Sequence, residues 1–127
     1  MSVRERGFSL LEVLVALTVL TVALGALIKA GSDHARNTQY LRERTLAHWA
    51  GQNLLAEYEA GLRPASAGHS GEVEMGPLRL AFRVEVSNYR PQAVVALPPV
   101  RRIDVRVWPA GTDESRQLAQ VSGFVLP

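Results

Sequence analysis

The chain is 127 residues long, carries a formal net charge of +2 and contains no cysteine. That length holds one hydrophobic core, and the lack of cysteine excludes a disulfide framework, thiolate metal sites and a cysteine nucleophile. Basic residues alternate with acidic ones instead of gathering into a stripe, so the pI of about 9.5 brings no nucleic-acid footprint with it.

Hydrophobic residues make up 47% of the chain, and they crowd the N-terminal end. Residues 8–28 read FSLLEVLVALTVLTVALGALI, in which Glu12 is the only charge. At about 1.5 Å per residue this block covers roughly 30 Å, the thickness of a bilayer's hydrocarbon core, so it reads as a spanning helix. Arg4 and Arg6 precede it and Lys29 follows, with acids beyond, which favours a cytoplasmic N-terminus and an outward-facing remainder. An ordinary secretory signal fits poorly: its apolar region runs to about 7–15 residues and ends at a small-x-small site, whereas Ile28-Lys29-Ala30 is a poor one. A plain uncleaved anchor has the same hydropathy. Glu12 is the discriminating residue, because an acid at mid-span costs about 2.5 to 3.5 kcal/mol on insertion scales, less near an interface. On physical grounds alone, two readings stand: a carboxylate snorkelling to the headgroups, or one that needs a partner.

The run Arg6-Gly7-Phe8-Ser9-Leu10-Leu11-Glu12-Val13-Leu14-Val15-Ala16-Leu17 resembles the class III signal of type IV pilins and type II secretion pseudopilins. That pattern is a short basic leader ending in Gly, then Phe, Thr or Ser, Leu, Leu or Ile, Glu and an apolar run. The resemblance implies that prepilin peptidase cuts between Gly7 and Phe8 and methylates the new Phe8 amine. Residues 1–7 are then a cleaved leader, 8–30 an anchor that later becomes filament core, and 31–127 a periplasmic domain. It also implies that Glu12 pairs with the N-terminal amine of a neighbouring subunit. Chemistry agrees with such a pair, because an amine and a carboxylate can compensate each other in an apolar setting.

Beyond Lys29, no Pro interrupts a run rich in helix formers, so the helix is expected to continue to about Leu62, where Gly61 and Pro64 end it. Ala47, Ala50, Gly51, Leu54, Leu55, Tyr58 and Leu62 recur at spacings of three and four and define one apolar face. Residues 63–71, small and polar, read as a loop. Strand alternation follows in Leu78, Leu80, Phe82, Val84 and Val86, and again in Ile103, Val105 and Val107. Residues 72–75 join the first of these strands through Gly76-Pro77, a pair compatible with a hairpin turn, and 117–126 form a plausible last strand. The expected fold is α+β, a long N-terminal helix whose first half is transmembrane, packed on a small antiparallel sheet. The pilin resemblance implies the same layout.

Residues 45–57, TLAHWAGQNLLAE, carry a finer likeness. Ala47, Trp49, Asn53, Leu55 and Glu57 fit an A-x-W-x-x-x-N-x-L-x-E run that resembles the I-type minor pseudopilin, and the short mature length fits that subtype as well. At about 100° per residue, Trp49 falls well away from the stripe of Leu54, Tyr58 and Leu62. It is either an interface residue or one buried by a sheet that wraps the helix. The apolar loop containing Val94, Val95 and Leu97, bounded by Pro91 and by Pro98-Pro99, is a second candidate partner surface.

Catalysis has no support in the sequence. His34, His48 and His69 are well separated and read as surface residues, with no metal site and no cofactor expected. Thr112-Asp113-Glu114-Ser115 reads as a polar turn in preference to a calcium loop, since two adjacent acids lack spaced oxygen ligands. The resemblance therefore implies a structural minor pseudopilin of the type II secretion system, working in the tip complex that starts the pseudopilus for export across the outer membrane. Its partners would be J-type, K-type and H-type minor subunits, the major pseudopilin and prepilin peptidase. It would sit in the bacterial inner membrane as a single-pass protein with its C-terminal domain in the periplasm. A minor pilin of a type IV pilus or DNA-uptake machine uses the same leader and stays open as the alternative.

Overall fold

A computed structural model describes residues 7–127. In chain order the elements are α1 (Leu10–Glu59), β1 (His69–Met75), β2 (Leu78–Tyr89), β3 (Val100–Pro109), a short 3-10 helix (Glu114–Arg116) and β4 (Ala119–Val125). The chain divides into two compact units, one ending at Gln39 and the other comprising Tyr40–Pro127. Arg4 and Arg6, on which the orientation argument rests, lie outside the described residues.

The first unit is helical from Leu10 onward, and its large apolar side chains are exposed. Its most apolar window has a mean hydropathy of 2.5 and none of it is buried, so by length and composition α1 can cross a membrane. The two threonine hydroxyls in the span donate within the helix, Thr18 to the Leu14 carbonyl at 2.8 Å and Thr21 to that of Leu17 at 2.7 Å. Neither is left as an unsatisfied donor facing hydrocarbon.

In the second unit the four strands form one antiparallel sheet in the order β1-β2-β3-β4. Two periodicities meet there. Helical spacing puts Ala47, Ala50, Gly51, Leu54, Leu55 and Tyr58 on one face, and strand alternation puts Leu80, Phe82, Val84, Ile103, Val105, Val107 and Val121 on one face of the sheet. Together these side chains form the core. A Cβ built at Gly51 would lie 3.0 Å from Val121 Cγ2, so a small residue here lets helix and strand approach closely. The expected α+β layout of a long helix on a small antiparallel sheet is what the structure has.

Two boundaries differ from expectation. The helix stops at Glu59, because Gly61, at φ 72°, turns the chain out of it. The Gly61 N–H donates to the Tyr58 carbonyl and the Leu62 N–H to that of Glu57, which is the Schellman arrangement. Leu62 consequently lies past the helix and is exposed, so it does not extend the apolar stripe. The expected loop 63–71 begins and ends earlier, at 60–68, since His69, Ser70 and Gly71 already pair with Val84, Arg83 and Phe82 as the first residues of β1. Their small polar composition hid an edge strand. Gly76-Pro77 does make the two-residue turn between Met75 and Leu78, with Gly76 at φ 59°.

The outer face of the sheet is a lattice of ion pairs. Glu114 accepts from Arg83 at 2.6 Å and from Arg106 at 2.8 Å, and Glu85 lies 3.6 Å from Arg106. Beneath it, Trp108 is only 9% exposed, with the Arg83 guanidinium 6.0 Å from its ring centroid. The 3-10 helix thus folds back over the sheet as a polar staple. Asp113 caps it by accepting the Ser115 N–H at 2.9 Å.

Candidate assembly site and partner surfaces

The N-terminal site is built by a helix cap. Ser9 precedes the first helical residue, and its Oγ accepts the Glu12 backbone N–H at 3.2 Å, satisfying one of the amides that a helix start leaves unpaired. The Ser9 carbonyl accepts the Val13 N–H at 3.2 Å and begins the helical ladder. Ser9-x-x-Glu12 is the spacing of a capping box, so this stretch fixes where the helix starts as well as forming part of a processing signal. Glu12 falls in the first turn, where the positive end of the helix dipole stabilises its carboxylate. The expectations from sequence leave Ser9 without a structural role, although a serine three residues before a glutamate ahead of an apolar run is a helix-start signal.

Phe8 and Gly7 lie before α1, and both are exposed. A Cβ at Gly7 would meet nothing within 4 Å, so the fold makes no demand for glycine there. The whole of 7–12 is open to a second protein.

Trp49 is 58% exposed on α1, on the side away from the stripe that covers the sheet. Its own sheet does not wrap round to bury it. Val94, Val95 and Leu97 are also exposed, in the ten-residue connection between β2 and β3. Residues 90–97 and Pro99 line a hollow to which no residue of α1 contributes, so Trp49 and this loop are separate surfaces. A lone exposed apolar side chain is ordinary, whereas a tryptophan this open on a small domain is a candidate binding anchor.

The charged groups on the sheet's outer face serve folding. The Arg106 hydrogen bond, helped by Arg83, holds the Glu114 carboxyl below the usual carboxylate range, and hydrogen bonds from Ser115 do the same for Asp113. Both acids of the 112–115 turn are therefore committed to protein partners. Among the described residues, no three His, Asp or Glu side chains gather as a possible metal site.

Two family models match the chain. One, for the type II secretion system (T2SS), protein I, covers residues 41–126, and the other, for the prokaryotic N-terminal methylation motif, covers residues 3–28. The type II secretion system protein I of Pseudomonas aeruginosa is 33% identical over 129 aligned positions, which span 96% of this chain and 95% of that protein. The protein of the same name from Pectobacterium carotovorum is 32% identical over 101 positions, 78% of this chain and 84% of its own length. That from Aeromonas hydrophila is 46% identical over 52 positions, 41% of this chain and 44% of its own length.

Proposed function

Because the chain belongs to the type II secretion system protein I family, we propose that it is a minor pseudopilin, a structural subunit that works by anchoring, pairing and packing and not by catalysis. The observation that carries this reading is the build of α1. One uninterrupted helix begins at a Ser9 cap beside the Glu12 carboxylate and ends on the core of an α+β domain. The match of 41–126 to the secretion family favours this reading over a minor pilin of a type IV pilus, since the leader alone is shared by both.

On this reading residues 1–7 are removed, Phe8 is methylated, 8–30 anchor the chain in the inner membrane, and 31–127 lie in the periplasm. Glu12 pairs with a neighbouring subunit's N-terminal amine. The domain joins J-type, K-type and H-type subunits in the complex that starts the pseudopilus, and Trp49 and the Val94, Val95 and Leu97 loop are its partner surfaces. Exposure of 7–12 and the open space around Gly7 support access by another protein.

Two measurements test it. Intact-mass analysis of the protein from cells with prepilin peptidase should show a methylated chain beginning at Phe8, and retention of residues 1–7 would overturn the processing step. Glu12→Ala should insert normally yet lower recovery of the co-purified minor-subunit complex, because it strands a buried amine at a cost of about 3–5 kcal/mol. Unchanged recovery with unchanged secretion would leave Glu12 as a snorkelling acid.

A further inference from the structure

At the C-terminal end of α1, side chains from three elements meet around one imidazole. His69 opens β1, and its ring centroid lies 6.0 Å from that of Tyr58 on α1 and 5.2 Å from that of Phe82 on β2. Its Nδ1 is 2.7 Å from the Tyr58 hydroxyl oxygen and its Nε2 is 2.9 Å from an Arg63 guanidinium nitrogen. Arginine has only donors, so Nε2 has to accept. The neutral ring then carries its proton on Nδ1 and donates it to Tyr58. Arg63 also donates to the Glu57 carboxylate, so a residue of the 60–68 connection is held between a helix acid and a strand imidazole.

This arrangement exists for neutral histidine alone. A proton on Nε2 removes the acceptor that Arg63 uses and sets two cations against each other at hydrogen-bond distance. We propose that Tyr58, His69, Arg63 and Glu57 form a proton-operated latch on the connection between α1 and β1, closed while His69 is neutral and opened when it is protonated.

The groups facing the ring set where it opens. Burial and then Arg63 hold His69 below the ordinary histidine value, while Glu57 pulls the other way. Tyr58 and Phe82 face it as uncharged groups, and Arg101 of β3 is engaged on the Ala65 carbonyl of the same connection. Opening therefore falls on the acid side of about pH 6.5. It removes the Arg63–His69 tie and leaves Arg63 on Glu57 and Arg101 on Ala65, so the connection loosens from β1 without leaving the domain. The same connection borders a hollow at the end of β4, lined by Tyr58, Arg63, Pro64, Ala65, Val125 and Leu126.

The test uses the full chain in detergent. Imidazole nitrogen shifts should show the Nδ1–H tautomer of His69 at about pH 8, with a protonation midpoint below about 6.5. Hydrogen exchange of 60–68, corrected for the intrinsic effect of pH, should quicken by about threefold or more between about pH 8 and pH 5, while the β2 and β3 amides keep their protection. Arg63→Met should raise the His69 midpoint and abolish the step in exchange, and His69→Gln should abolish the step too. An Nε2–H tautomer, a step that survives in His69→Gln, or equal protection of 60–68 at both pH values would overturn the latch.

Discussion

Ser9 and Glu12 are three residues apart because a helix start needs an oxygen where its first amides have no carbonyl to meet. Ser9→Ala removes that oxygen and should cost about 0.5–2 kcal/mol of local helix stability, read as faster exchange of the amides at the start of α1, with Ser9→Thr restoring most of it. The domain's melting temperature should stay where it is, since no core side chain changes. A different kind of constraint acts at Gly68, just before β1. A Cβ there would lie 2.1 Å from the Val84 carbonyl oxygen, which is backbone and cannot swing aside. Gly68→Ala should therefore lower domain stability by about 1–3 kcal/mol, as overpacking does, measured by denaturant unfolding. Gly25→Ala, with open space around it, is the control and should change nothing.

Among the elements, those with strong periodicity were legible in the sequence. The alternation of β2 and β3 and the three-four spacing of the helix gave the buried faces residue by residue, from Ala47 to Tyr58 and from Leu80 to Val107. What escaped was structure held by side-chain chemistry without period. His69 read as a surface residue, yet it is bonded to Tyr58 and Arg63, partners eleven and six residues away. Trp108 and the 3-10 helix escaped for the same reason, since the staple depends on Glu114 reaching Arg83 across 31 residues. That staple predicts an acid dependence. The folded-state carboxyl of Glu114 sits below its ordinary value near 4.5, so its contribution is complete above that pH and is lost as pH falls through the lower folded value. Glu114→Gln should lower the melting temperature at neutral pH and flatten its decline between about pH 5 and pH 3. An equally steep decline in the variant would assign acid sensitivity to other groups.

For the whole molecule, the question is which apolar side chains hold the domain and which are presented to others. Ile103 and Trp49 separate the two. Ile103 is 0% exposed in the sheet's inner face, and Ile103→Ala should cost about 2–5 kcal/mol, because the rigid sheet around it cannot close the cavity. Trp49, at 58% exposed, contributes little to that core, so Trp49→Ala in the full chain should leave the domain's melting temperature almost unchanged. Its proposed role lies in assembly, where tryptophan desolvated at the centre of an interface commonly carries 2 kcal/mol or more of binding energy. Affinity for the J-type subunit, measured with both proteins in detergent, should then weaken by about 30-fold, the equivalent of about 2 kcal/mol. The prediction is a dissociation of two readouts, one variant moving stability and the other moving binding. A Trp49→Ala chain that melts early but binds its partner normally would place this side chain in the fold and not in the interface.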